Sequence, residues 1–231
     1  MTSSTNRIIS IEGNIGSGKS TLLAELKEEY QQNKNIVFLR EPVDEWESIR
    51  DAEGKTMIQK FYADQKTYSF SFQMMAYISR LALLKEAMKN HPNAIIITER
   101  SLYTDKYVFA KMLYDMKNIE DVNYQIYSRW FDTFAEECPL HHVIYVNTDP
   151  EVCHERITTR SRAGEDIIPL EYLKECNRYH NSMMNEIKDE CNITSINGNN
   201  DIYANPQTLI QWVSLIGDII KESSNTVEMV K

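Results

Sequence analysis

The chain has 231 residues, 42% of them hydrophobic and 26% charged, with a formal net charge of −9. This composition is that of a folded globular protein, not a disordered, fibrous or membrane-embedded one, and no apolar run approaches the roughly eighteen residues of a membrane span. The negative balance, with no basic run to offset it, opposes a nucleic-acid polymer as partner but leaves room for a small anion held by a local nest of N–H groups.

Only Met1 to Arg7 precede the first apolar run, too short for a secretory or transit segment, so a cytoplasmic location is expected. Cys138, Cys153, Cys176 and Cys191 form no CxxC pair and no zinc spacing, and are expected to be reduced thiols of the core.

Apolar β-branched runs alternate with longer segments of helical period, the rhythm of a parallel sheet covered by helices on both faces. The first strand is predicted at Arg7 to Glu12. It leads into Gly13-Asn14-Ile15-Gly16-Ser17-Gly18-Lys19-Ser20-Thr21, which fits Gly-x-x-x-x-Gly-Lys-Ser and opens a helix predicted over Lys19 to Gln32. In this strand-loop-helix setting the glycines let backbone N–H groups turn toward phosphate oxygens. The helix N-terminus adds positive potential, Lys19 reaches the β- and γ-phosphates, and Ser20 suits a Mg²⁺ ion. The motif implies a nucleoside triphosphate such as ATP, yet kinases, GTPases and motor ATPases share it. The Asn-Lys-x-Asp motif of a guanine site is absent from the sequence.

The second strand, Asn35 to Arg40, delivers Glu41-Pro42-Val43-Asp44-Glu45-Trp46 to the carboxyl edge of the sheet, where function gathers in doubly wound folds. Phe61-Tyr62 and Tyr68-Ser69-Phe70-Ser71-Phe72-Gln73 follow, the latter within a helix predicted over Lys66 to Lys89. Their aromatics either wall a flat heterocycle or pack a core, and periodicity does not separate the two. The third strand, Ala94 to Thr98, ends in Glu99-Arg100-Ser101. A carboxylate at such an edge can take the proton of an attacking hydroxyl and an arginine can bind phosphoryl oxygens. Taken alone, Glu99-Arg100 is explained equally well by a surface ion pair.

Helices at Leu102 to Tyr114 and Glu120 to Glu137, a fourth strand at His142 to Asn147 and a helix at Pro150 to Thr159 come next. Arg156, Arg160 and Arg162, the first two on one helical face and followed by Gly164, read as a lid over about 156–166 that closes on phosphate. A helix at Pro169 to Glu190, a fifth strand at Asn192 to Asn197 and a helix at Pro206 to Lys221 complete the series. Pro150, Pro169 and Pro206 suit first-turn positions, and Ser223 to Lys231 lose the helical pattern and are expected to fray. With no linker composition or repeat, one domain over 1–231 is expected: a three-layer α/β P-loop NTPase sandwich with a five-stranded parallel sheet and an arginine-rich lid.

GNIGSGKST at 13–21, REPVDEW at 40–46, YSFSFQ at 68–73, ERSLYTDKYVF at 99–109 and RITTRSRAGEDIIPLEYL at 156–173 together resemble the deoxynucleoside kinase family, in order and spacing across most of the chain. The resemblance implies transfer of the ATP γ-phosphate to the 5′-hydroxyl of a deoxynucleoside, in nucleotide salvage. It makes Glu41 the general base, Arg100 the holder of the hydroxyl and the transferred group, Lys19 the phosphate anchor, and Ser20 with Glu99 the Mg²⁺ site. It implies that Gln73 reads the nucleobase edge, Phe109 stacks on the base, Trp46 lines the cleft, and Tyr62 with Glu165 binds the 3′-hydroxyl. Arg156, Arg160 and Arg162 match the family's lid, with Arg156 near the adenine, and the 197–202 loop sits where the family wraps that adenine. Ala76, Arg80 and Asp105 resemble the branch that accepts deoxycytidine and purine deoxynucleosides over thymidine. A homodimer through two long helices, one of them the Lys66 to Lys89 segment, is also implied.

Two other readings share part of this pattern. A nucleoside monophosphate kinase has the P-loop, sheet and lid but needs no carboxylate base for its phosphate acceptor, and Glu41 and Gln73 argue against it. A non-catalytic nucleotide-binding subunit could dispense with Lys19, Glu41 or Arg100, and all three are present.

Overall fold

Near-continuous runs of buried isoleucine and valine, Ile8, Ile9 and Ile11, Ile95 to Ile97, and Val143, Ile144 and Val146, form the centre of the fold. The computed structural model describes residues 6–160 and 168–228. Strands β1 (Arg7–Glu12), β2 (Ile36–Leu39), β3 (Ile95–Glu99), β4 (Leu140–Asn147) and β5 (Asn192–Asn197) form a parallel sheet in the order β2-β3-β1-β4-β5. Register runs Ile9↔Ile97 between β1 and β3 and Ile144↔Thr194 between β4 and β5, with an irregularity between β1 and β4 at Ile8/Ile9. Because β1 lies in the middle, both of its faces are covered. Ile9 and Ile11 pack with Leu22, Leu23 and Leu26 of α1 (Lys19–Glu29) and Ile216 and Ile219 of α9 (Pro206–Glu228). Ile8, on the other face, packs with Tyr77 and Leu81 of α4 (Gln65–Asn90) and Phe131 of α6 (Asp121–Ala135). Full burial of side chains this size contributes about 1.5–3 kcal/mol each.

Since all strands run the same way, Glu12, Leu39 and Glu99 deliver the P-loop, Glu41 and Arg100 to one edge. The other site residues come from α4, whose N-cap Asp64 accepts from Thr67 N at 3.1 Å and whose end at Asn90 precedes Pro92. Its buried positions include Gln73, Ala76 and Arg80, spaced three and four apart and therefore on one face.

All five expected strands are present, within two residues at their ends. Two short helices, α2 (Val43–Ser48) and α3 (Met57–Ala63), lie where none was expected. The expected helix from Leu102 to Tyr114 is wound as a π-helix over Thr104–Ala110 before α5 (Lys111–Asp115). Such widened turns gather at functional sites. Pro150 and Pro206 do open α7 (Pro150–Arg160) and α9, but Pro169 is the extended N-cap of α8 (Leu170–Ile187), not a first-turn residue.

The expectation of a frayed tail from Ser223 is corrected as far as Glu228, where α9 ends. Ser223, Ser224, Asn225 and Thr226 are weak helix formers, so the sequence pattern fades before the backbone does; Ser224 Oγ donates back to Ile220 O at 2.9 Å. No helix among the described residues is long and apolar enough to cross a membrane.

Candidate active site

Residues 13–18 form the loop between β1 and α1, and Lys19, Ser20 and Thr21 begin the helix. Gly13 has φ +143, and a Cβ there would meet Val146 O at 2.6 Å, so the loop lies against β4 only with glycine in this position. Gly18 has φ +102 and serves as the left-handed N-cap of α1. Asn14 ties the loop to α8: its Nδ2 donates to Leu173 O at 2.8 Å, and its Oδ1 accepts from Ile15 N within the loop. Lys19 Nζ donates to Asn14 O at 2.6 Å. Burial, reinforced by nearby Arg100, lowers the Lys19 ammonium pKa to about 8.

A cleft of about 660 Å³ runs over this loop, lined by Ile15, Gly16, Ser17, Gly18, Lys19, Ser20 and Thr21, by Arg156 and Arg160 of α7, and by Asn199 to Tyr203 after β5. Arg156 Nη1 donates to Gly198 O at 2.9 Å and its Nη2 to Asn200 O at 3.3 Å, which ties α7 to the loop after β5. Arg162 and Glu165, and with them most of the expected lid, lie outside the described residues. Ser20 Oγ donates to Glu99 Oε1 at 2.5 Å at the floor of the cleft. A hydroxyl and a carboxylate side by side are the hard oxygen donors suited to Mg²⁺, which takes few protein ligands and completes its shell with phosphate and water. The residues present therefore fit that ion.

A second, smaller cavity of about 80 Å³ lies beside the first. It is lined by Trp46 and Val43 of α2, Phe61 and Tyr62 of α3, Phe72, Gln73 and Ala76 of α4, Asp105 and Phe109 of the π-helix, and Tyr172 of α8. The ambiguity over the aromatic stretch resolves by residue. Phe61 and Phe72 stack at 4.5 Å and line the cavity, whereas Phe70 packs with the core under α4. Gln73 Oε1 is buried with no hydrogen-bond partner among the described residues, an acceptor turned to a cavity that can supply a donor. Phe109 lies between the Arg100 guanidinium, 5.1 Å above its ring, and the edge-on ring of His180 at 6.2 Å. Burial pushes the His180 imidazole down to about 3, so it backs Phe109 as a neutral ring.

The two clefts share Ile15, Glu41 and Arg100. Arg100 Nη1 donates to Glu41 Oε1 at 2.7 Å and Oε2 at 2.8 Å, and Arg80 Nη2 donates to Oε1 at 2.9 Å. Burial acts to raise the Glu41 pKa, but Arg100, Arg80 and Lys19 outweigh it and hold the carboxyl below the ordinary carboxylate range. Arg100 itself adopts φ +61, left-handed for a non-glycine, with its N–H bonded to Ile11 O at 3.0 Å. Such backbones cost about 1–3 kcal/mol and persist where surrounding structure enforces them. Arg80 is buried behind Asp105, with Nε donating to Asp105 Oδ2 at 2.9 Å and Nη1 to Glu99 O at 2.7 Å. Burial pushes the Asp105 carboxyl up against the opposing pull of Arg80.

Sequence reasoning missed several contributors. Tyr172, which packs edge-on to Tyr62 at 6.4 Å, falls inside the 156–173 motif but carries no signal of its own. Tyr203 and Trp212 line the larger cleft from a stretch with no motif. Glu12, fully buried, accepts from Thr104 Oγ1 and so joins the start of the P-loop to the start of the π-helix.

A central strand feeding a glycine-rich phosphate loop, with a carboxylate–arginine pair where a triphosphate-sized cleft meets an aromatic-walled cavity, defines a P-loop phosphotransferase of small molecules. Residues 9–221 match the deoxynucleoside kinase family. The chain is 31% identical over 224 residues to a probable deoxycytidine kinase of fowlpox virus (strain NVSL), covering 94% of this chain and 90% of that one. It is 34% identical over 196 residues to deoxycytidine kinase of Homo sapiens (76% and 74% covered) and 31% identical over 194 residues to mitochondrial deoxyguanosine kinase of Xenopus laevis (76% and 72%). The chain belongs to the deoxynucleoside kinase family and is an ATP-dependent kinase of deoxynucleosides.

Proposed function

We propose that this enzyme transfers the γ-phosphate of ATP to the 5′-hydroxyl of a deoxynucleoside, favouring deoxycytidine and the purine deoxynucleosides over thymidine. The observation that carries this reading is that Glu41 and Arg100 belong to both clefts. ATP takes the larger cleft, with its phosphates on the 13–21 loop, Lys19 on the β- and γ-phosphates and Arg156, Arg160 and Arg162 closing from the lid. The deoxynucleoside takes the smaller one, with its sugar at the Glu41 end. Gln73 faces the base edge, Phe109 its plane, Trp46, Ala76 and Asp105 the walls, and Tyr62 and Glu165 the 3′-hydroxyl.

In this arrangement Glu41 accepts the 5′-hydroxyl proton as the oxygen attacks the γ-phosphorus. Arg100, held beside it, stabilises the charge that spreads over the phosphoryl oxygens. Ser20 and Glu99 would hold Mg²⁺, which neutralises phosphate charge when bound. The preference among bases is supported by the Arg80–Asp105 pair, which puts a buried carboxylate acceptor into the cavity wall where an apolar residue would present none.

The fold and the family resemblance further support a single-domain, cytoplasmic salvage enzyme that works as a homodimer. For the dimer, Val122, Ile126 and Trp130 recur every fourth residue on α6 and stay exposed at 64, 41 and 46%, and Ile78 of α4 is exposed at 45%. An apolar stripe of this kind suits a second copy. Incubating the enzyme with ATP, Mg²⁺ and deoxycytidine and locating the new phosphate by its ³¹P–¹H coupling tests the reaction. Coupling to the 5′ protons is expected, and phosphate at the 3′ position or no product overturns it.

A further inference from the structure

Arg80 does not line the smaller cavity, although its neighbours Gln73, Ala76 and Asp105 do. Its side chain is 7% exposed and all three guanidinium nitrogens are engaged: Nε with Asp105 Oδ2 at 2.9 Å, Nη1 with Glu99 O at 2.7 Å and Nη2 with Glu41 Oε1 at 2.9 Å. A guanidinium is planar and its donors point in fixed directions, so it cannot follow one partner without changing its hold on another. One rigid group therefore joins the carboxylate at the base end of the cavity to the carboxylate where the two clefts meet. Arg100, which donates to both oxygens of Glu41, has no bond to Asp105 among those described.

We propose that Arg80 is a positioning residue that couples the two ends of the acceptor site, so that engagement of Asp105 by the nucleobase alters the hold of Arg80 on Glu41 and thereby sets the rate of proton removal. The proposal rests on the reading of Glu41 as general base and of Asp105 as a wall of the nucleobase site. Its consequence is that the identity of the base acts on kcat as well as on KM. An arginine that served only to shape the base pocket would change KM alone. The charged groups around Glu41 are Lys19 from the start of α1, Arg80 from α4 and Arg100 after β3, with Glu99 and Asp105 as the nearby acids. Of these cations Arg80 alone reaches both Glu41 and Asp105.

Steady-state kinetics with the four natural deoxynucleosides test this in the wild type, Arg80→Gln, Asp105→Asn and the double variant Arg80→Gln/Asp105→Asn. Arg80→Gln alone leaves Asp105 as a buried carboxylate without its cation and is prone to unfold. The double variant restores a neutral hydrogen-bonding pair, and thermal unfolding verifies that it is folded. In the wild type kcat is expected to differ among nucleosides by about tenfold, a difference of about 1.4 kcal/mol in barrier height. In the folded double variant the kcat values are expected to converge while KM values still differ. Equal kcat values in the wild type, or a spread that survives in the double variant, overturn the proposal.

A second readout needs no turnover. The ¹³C shift of the Glu41 carboxyl should respond to saturating deoxycytidine in the wild type and not in the double variant. A response without phosphorylation would sink the kinase reading and leave the coupling. Phosphorylation with an unresponsive Glu41 would sink the coupling and leave the kinase.

Discussion

Replacing Glu41 with glutamine keeps the side-chain shape and removes the proton acceptor. In the folded protein both carboxylate oxygens lie within 2.9 Å of arginine nitrogens. The amide keeps one oxygen for them and turns an N–H₂ toward a cation, so one contact is lost as well as the base. A positioned general base contributes about 10²- to 10⁴-fold, about 3–5 kcal/mol of barrier. Two arginines depress the basicity of this carboxylate, which puts the expected loss in the lower half of that range, about 10²- to 10³-fold in kcat. Because the proposed pose sets the sugar at Glu41 and the base at Gln73 and Asp105, the nucleoside KM should change by less than about tenfold.

The pH dependence follows from the same contacts. A carboxyl whose folded pKa is depressed is ionised, and stabilises the fold, at all pH above the ordinary value of about 4.3; that contribution fades as pH falls through the folded pKa. The wild type should therefore lose stability below about pH 4 more steeply than Glu41→Gln. ADP release measures kcat, and thermal unfolding between pH 3 and 7 measures the second effect. Turnover in Glu41→Gln within tenfold of wild type would refute the assignment of Glu41 as the base, and a loss confined to KM would make Glu41 a binding residue only.

Lys19→Ala removes the cation of the phosphate loop, and ATP-dependent turnover should fall below detection; retained turnover would remove the P-loop from the account. Chelating Mg²⁺ should stop the reaction, and Glu99→Gln should raise the Mg²⁺ concentration for half-maximal rate about tenfold or more, read from a metal titration. An unchanged requirement would dismiss Glu99 from the metal site. Trp130→Glu puts a charge into the exposed stripe on α6 and should shift the molar mass in light scattering from dimer to monomer; a dimer that survives it uses another surface.

How much of this was legible in the sequence follows from which interactions are local. The strands were readable because they are buried on both faces of the sheet: Ile95 to Ile97 form an unbroken apolar run, and Ile8, Ile9 and Ile11 one interrupted only by Ser10. The P-loop was readable because its chemistry depends on backbone conformation, which glycine spacing encodes directly. The helix at Met57–Ala63 had a signal that passed unread: Thr56 and Gln59 form a reciprocal capping box, the Thr-x-x-Gln pattern of a helix start.

The π-helix had none in the local pattern; its start at Thr104 is bonded to Glu12, 92 positions away. The Arg80–Glu41–Asp105 bridge is likewise a product of folding. Each residue stood out separately as a site residue, but their sequence separations of 39 and 25 leave their connection unwritten until β2, α4 and the π-helix meet. By resemblance Arg80 was grouped with Ala76 and Asp105 in the choice of base; in the structure it is bonded to Asp105, outside the cavity lining, with its donors spent on protein acceptors.

The central claim is that a neutral hydroxyl of a deoxynucleoside, and not a phosphate, receives the γ-phosphoryl group. The direct measurement is kcat/KM for the four deoxynucleosides and their four 5′-monophosphates, side by side, with ATP and Mg²⁺. Turnover of the nucleosides is expected, with deoxycytidine, deoxyadenosine and deoxyguanosine ahead of thymidine, and none of the monophosphates. Preferred phosphorylation of a monophosphate would contradict the role of Glu41, and thymidine as the best substrate would contradict the role given to Arg80 and Asp105.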